Sequence, residues 1–137
     1  MDKCNSGKAN LSISKVQPDK AINGGQSDEG RLIIRTKRGI HVFAFEDILF
    51  MEKDLKRIII HSSQGEMPFY GRFTDIMERL DERFLWCHRS YVINMDKIVW
   101  MEDNEIYIEG NYHIHMGNNT FRRARHIFSD YLDKKKG

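Results

Sequence analysis

Three kinds of chemistry can be sought among the side chains of this sequence. His113 and His115 are two residues apart, so on a strand both rings would share a face, as a pair of metal ligands requires. No His-Glu-x-x-His, no Cys-x-x-Cys and no third ligand at a matching spacing accompanies them, so a metal hydrolase lacks its ligand set. Ser90 adjoins His88 and Cys87, but no Gly-x-Ser-x-Gly elbow is present to expose a nucleophile. The third chemistry is recognition of nucleic acid. An Arg such as Arg89, set at a strand corner, can offer its planar fork to O6 and N7 of guanine, a contact worth about 1–3 kcal/mol of discrimination. Asn can pair with adenine in the same groove, and Lys can serve a guanine or a phosphate.

Such side chains need elements to carry them. Residues 31–35 and 40–45 flank Thr36-Lys37-Arg38-Gly39 and predict a hairpin. A second hairpin is predicted from the apolar run 48–51, the polar stretch 52–56 and Arg57-Ile58-Ile59-Ile60-His61, with Lys53, Lys56 and Arg57 at its tip. The three isoleucines favour strand because β-branched side chains suit a pleated surface. Another short strand is expected at 66–70, after Ser62-Ser63-Gln64-Gly65. Phe73, Ile76, Met77 and Leu80 then fall at i, i+3, i+4 and i+7, which predicts a short amphipathic helix. Apolar runs at 84–86, 91–93, 98–101, 106–108 and 112–116, separated by Asn-, Asp- and Gly-rich connectors, predict more strands. Phe121, Ala124, Phe128 and Tyr131 predict a closing helix, with Asn118, Asn119 or Thr120 as its amino-terminal cap.

Composition bounds the rest. The 137 residues amount to one domain, 40% hydrophobic and 11% aromatic, enough for a packed core. Residues 1–30 hold four Lys, four acidic residues, Gly24-Gly25 and no aromatic residue, so they are expected to form a flexible tail or linker. The folded unit is then 31–133, and Lys134-Lys135-Lys136 with Gly137 is expected to be a basic carboxy-terminal tail. No apolar run is long enough to cross a membrane or to serve as a signal peptide, so a cytoplasmic location with no membrane partner is expected. Cys4 lies in the tail and Cys87 in an apolar-aromatic segment, an arrangement that gives no disulfide framework. The net charge of +2 is too small to announce a nucleic-acid binder; the distribution of charge has to decide.

The segment Phe84-Leu85-Trp86-Cys87-His88-Arg89-Ser90-Tyr91-Val92-Ile93-Asn94, followed by Ile98, resembles the signature of the LytTR DNA-binding domain, the effector module of many bacterial response regulators. The likeness extends over nearly all of 31–131, through Glu46-Asp47-Ile48, Phe69-Tyr70-Gly71 and Gly110. It implies a mostly β fold of about ten strands in small stacked antiparallel sheets with short helices. It also implies that loops, not a recognition helix, touch two successive major grooves and the minor groove between them. Carried onto this sequence, those loops are 52–57, the 88–90 corner and 117–123. The resemblance puts Lys56, Arg89 and Asn119, with Asn118 beside it, at base-contacting positions, and Lys53, Arg57, His88, Ser90, Arg122 and Arg123 along the DNA backbone. In the third loop Gly117-Asn118-Asn119 departs from the family's usual Ser followed by basic residues. Apart from the family, the start of the last helix should add unpaired N–H groups beside Arg122, Arg123 and Arg125, an end that attracts phosphate.

The expectation from this likeness is a cytoplasmic transcription regulator of a bacterial two-component system. It would bind direct-repeat sites in double-stranded promoter DNA as a pair of protomers, with no catalysis, no cofactor and no metal. A separate signalling protein is a further candidate partner, since thirty tail residues cannot house a phosphorylatable α/β unit. The alternative is a protein-interaction module of the same fold, an anti-regulator pairing with a DNA-bound homologue through exposed β edges. His88 and Asn94 also have structural readings, as a hydrogen-bonding corner residue and a turn former, and Cys87 reads as a small core residue.

Overall fold

The computed structural model describes residues 30–136. In chain order the elements are β1 (Arg31–Thr36), β2 (Gly39–Ala44), β3 (Ile48–Asp54), β4 (Arg57–Ser62), β5 (Gly65–Tyr70), α1 (Phe73–Met77), β6 (Phe84–His88), β7 (Tyr91–Asn94), β8 (Ile98–Glu102), β9 (Glu105–Ile108), β10 (Tyr112–His115) and α2 (Asn118–Lys136). The strands form three antiparallel sheets: β1-β2, the five-stranded β5-β4-β3-β7-β6, and β10-β9-β8. The protein is therefore mostly β, as expected. The tail expected over 1–30 lies outside the described residues apart from Gly30, whose carbonyl accepts from the Phe45 N–H.

The five-stranded sheet is covered on both faces, which explains why β3 begins with an unbroken apolar run rather than an alternation. Ile48 and Met51 join Leu32, Ile34, Ile58, Ile60, Phe73 and Val92 in one core, beneath the β1–β2 hairpin and α1. Leu49 and Phe50 join Leu85, Ile93, Ile106, Ile114, Phe121 and Ala124 in the other, beneath the three-stranded sheet and α2. An irregularity in the β3–β4 register between Ile48 and Phe50 breaks the alternation of faces and lets the consecutive residues Leu49 and Phe50 serve the same core. Asn94 is fully buried where these layers meet: its Nδ2 donates to the carbonyls of Phe45 and Ile48, and its Oδ1 accepts from the Asp96 N–H. It forms a turn, as its sequence context suggests.

Both helices differ in extent from expectation. α1 stops at Met77, and the chain continues through tighter i→i+3 bonds from Arg79 to Ile76 and from Leu80 to Met77. The Arg79 guanidinium in this tighter segment donates to the Ile33 carbonyl on β1 at 3.1 Å, which ties the segment to the β1–β2 hairpin. α2 begins at Asn118, so Asn118, Asn119 and Thr120 occupy its first turn and do not precede it as a cap. The Asn118 side chain accepts from Asn104 Nδ2 in the β8–β9 turn, and the Phe121 N–H donates to the Gly117 carbonyl. At the other end α2 runs through Lys134 and Lys135 to Lys136, so the basic run is the last turn of a helix rather than a tail.

Candidate nucleic-acid interface

The strand register decides which loops meet. β3 pairs with β7 so that Glu52 lies opposite Tyr91, which sets the β3–β4 turn and the 88–90 corner at the same end of the sheet. The Lys53 N–H extends this ladder to the Ser90 carbonyl at 2.8 Å. β5 brings a third segment to that end, because Tyr70 lies opposite Arg57. Gly71 follows, its N–H donating to the Lys56 carbonyl and its own carbonyl accepting from Lys53 Nζ at 3.3 Å. A side chain at Gly71 would meet the Phe69 ring at 2.9 Å, so only glycine permits this close crossing.

Within the first loop the charges divide. Leu55 and Lys56 form the turn, Leu55 with φ 59° and 88% exposed. Lys53 braces Gly71, and Arg57 is held by Asp54 at 2.7 Å. That pairing raises the Arg57 pKa through the hydrogen bond and the charge of Asp54. Lys56 is exposed and makes no side-chain hydrogen bond or ion pair among the described residues. The other acid of this loop, Glu52, points back to the buried His61, with Oε1 2.6 Å from Nε2, while His61 stacks on Phe50.

The second corner is rigid in its backbone and open at its tip. His88 Nδ1 accepts the Ser90 N–H at 3.0 Å, and the His88 ring lies 5.6 Å from that of Tyr91. The His88 ring thus serves the backbone, in keeping with its structural reading. Arg89 projects from this corner, exposed and free of any ion pair among the described residues.

The third loop approaches from the other core. Phe121, Ala124 and Tyr131 seat α2 against Leu85 and Cys87 of β6. The helix runs from Arg123, whose charge acts on the Cys87 thiol, to Tyr131, whose hydroxyl donates to Asp96 at 2.7 Å. Cys87 is next to the 88–90 corner and Asp96 lies beyond the far end of β7, so α2 starts at the end of β6 that leads into the corner and runs away from it. Asn119, Arg122, Arg123 and Arg125 are exposed there, whereas Asn118 is engaged by Asn104.

Sequence reasoning overlooked two features of this end. Arg72, paired with Asp75 at 3.4 Å, and Tyr70, 79% exposed, stand beside Lys56 and Arg57. The β4–β5 register could have located them, since Tyr70 falls opposite Arg57 once the Ser62–Gly65 turn is fixed. Asp54 neutralises Arg57 inside the first of the three loops. His113 and His115 do share a face, but both are bound to Glu105, and no cluster of three or more metal-ligating side chains occurs among the described residues. No helix among those residues is long and apolar enough to cross a membrane.

Comparison with known proteins bears on this geometry. The LytTr DNA-binding domain model matches residues 38–129. Accessory gene regulator protein A of Staphylococcus epidermidis is 33% identical over 100 residues, covering 69% of this chain and 39% of that protein. Its counterpart in Staphylococcus aureus strain N315 is 33% identical over 86 residues, 58% of this chain and 36% of that protein. The match thus spans about two fifths of the length of these relatives. A solved LytTr DNA-binding domain from a Bacillus cereus methyl-accepting/DNA response regulator superposes with a TM-score of 0.63 at 13% identity, covering 72% of this chain and 96% of that one, a likeness of fold.

Proposed function

The chain belongs to the LytTr DNA-binding domain family, and on that premise we propose that it reads double-stranded promoter DNA for a bacterial transcription regulator. In this reading the β3–β4 turn and the 88–90 corner enter one major groove while the start of α2 enters the next. Lys56, Arg89 and Asn119 contact bases, with Asn118 contributing at the third loop. Lys53, Arg57, His88, Ser90, Arg122 and Arg123 position the backbone. Two protomers occupy direct repeats, the work is done in the cytoplasm, no catalytic step is involved, and a separate signalling protein supplies the input.

The observation that carries this reading is the pairing of two turns at one end of a sheet, with an unengaged cation on each, Lys56 and Arg89. A cation tied in an internal pair cannot give its donors to a base without breaking that pair, so freedom at a rigid corner is what readout requires. Asp54 and Glu52, the acids of the first loop, are each directed onto a partner of their own chain, which reduces their repulsion of phosphate. The weight of the DNA-backbone role falls accordingly on Arg122, Arg123 and Arg125 more than on Arg57 or His88.

Selection of bound duplexes from a random pool tests the proposal. Enrichment of a sequence with two half-sites in the same orientation supports it. Retention that is independent of sequence, or insensitive to salt, contradicts it and favours a protein-interaction module.

A further inference from the structure

The tip of the β3–β4 turn carries a leucine for which the fold gives no reason. Asp54 pairs with Arg57, so Leu55 and Lys56 alone make up the loop. Leu55 is 88% exposed, more than any other large apolar side chain among the described residues. Its backbone is also in the left-handed region, with φ 59°. The other described non-glycine residues with positive φ are Asp103, Asn104 and Asn111, types whose short polar side chains tolerate that region. Tight hairpin loops ordinarily fill such positions with Gly, Asn or Asp. A leucine here adds backbone strain and leaves its apolar surface in water, and strain of this kind clusters at functional sites. Its neighbours say which function. Lys56 follows it, with no side-chain ion pair among the described residues, and the bond from the Lys53 N–H to the Ser90 carbonyl ties the Arg89 corner to the same end of the sheet.

We propose that Leu55 is a base-reading residue that packs on the C5-methyl group of a thymine in the major groove. The inference rests on the DNA reading proposed above and adds to it a contact of a different kind. Of the four bases only thymine presents a methyl group in that groove, so an apolar side chain selects it by burial, where Lys56 and Arg89 select by hydrogen bonding. An Asn or Asp would suit this backbone better but would offer the methyl group only polar atoms, and a glycine would offer it no side chain at all. The loop is braced by the β3–β4 ladder and by the bond from the Gly71 N–H to the Lys56 carbonyl, so little has to be ordered when the leucine meets the base.

The test uses the full chain and an operator selected from a random pool of duplexes, its thymines replaced one at a time by deoxyuridine, which lacks only the C5-methyl. Affinities are read by fluorescence anisotropy. The parent should bind about fourfold more weakly when one particular thymine of a half-site is replaced, the effect of one buried methyl-sized group. Leu55→Ala should bind the thymine and deoxyuridine forms of that site alike. Leu55→Gly should be equally indifferent to the methyl group. Its urea midpoint should be no lower than the parent's, because relief of the left-handed backbone offsets the freedom that glycine adds to the unfolded chain. The proposal is overturned if every deoxyuridine form binds the parent as the thymine form does, or if the methyl dependence survives in Leu55→Ala. A lowered midpoint in Leu55→Gly also overturns it, since Leu55 would then serve the fold. Those outcomes leave the DNA reading standing, whereas a chain that selects no operator removes the DNA reading and this inference with it.

Discussion

The backbone N–H of Lys53 donates to the carbonyl of Ser90 across 2.8 Å. This bond ties two turns distant in sequence to each other, so the backbone segments that carry Lys56 and Arg89 are held at one end of the sheet. Loops that read bases must lose their freedom before binding rather than during it, because ordering them on DNA would subtract from affinity. His88 completes the brace by accepting the Ser90 N–H.

His88→Ala removes that acceptor, and a neutral hydrogen bond contributes about 0.5–1.5 kcal/mol. The operator affinity should drop by up to about tenfold, while His88→Asn, whose amide oxygen can accept the same N–H, should restore most of it. Equal losses in the two variants, measured by fluorescence anisotropy, would mean that the ring's own contact with the DNA backbone, and not the brace on Ser90, carries the effect.

Asp54→Asn releases Arg57 from its 2.7 Å partner. If Arg57 then takes up a phosphate, the slope of log affinity against log salt should steepen by about 0.9, one phosphate's worth. An unchanged slope would place Arg57 away from the DNA backbone.

Asn94→Ala strands two buried carbonyls and one N–H that its side chain now satisfies. A loss of about 2–4 kcal/mol in urea denaturation is expected, each orphaned group costing about 1–3 kcal/mol less any relief by relaxation or water. Well below the unfolding midpoint the variant should bind DNA nearly as the parent does, since Asn94 is remote from the Arg89 corner.

Burial pushes the Cys87 thiol from its ordinary 9.0 up to about 12, outweighing the opposing pull of a backbone hydrogen bond and of Arg123. At pH 8, in a Cys4→Ser background, the native protein should alkylate slowly with iodoacetamide and the urea-unfolded chain rapidly. The sign for stability follows from linkage. Between pH 9 and 12 the unfolded thiol has lost a proton that the native one keeps, so this group's contribution falls as pH rises. Cys87→Ala should flatten that part of the stability profile.

Strand-level organisation was legible where side chains alone dictate it. The isoleucines at 58–60 select a pleated surface, and the His88-Arg89-Ser90-Tyr91 run marks a corner between two strands. What stayed hidden depends on contacts between distant residues. Arg79 reaches back to Ile33, and Asn104 engages Asn118 at the start of α2. The shared hold of Glu105 on His113 and His115 was hidden for the same reason: strand periodicity puts the rings on one face, but only the β9–β10 register brings the carboxylate between them.

The assignment of Arg89 as a base reader is tested most directly by Arg89→Ala in a competition gel shift between the selected operator and a scrambled duplex. The side chain is exposed and unpaired among the described residues, so the fold should survive. Preference for the operator should shrink by about 1–3 kcal/mol, roughly 5–150-fold, with little change on the scrambled duplex. Undiminished preference, or an equal loss on both duplexes, would contradict the account.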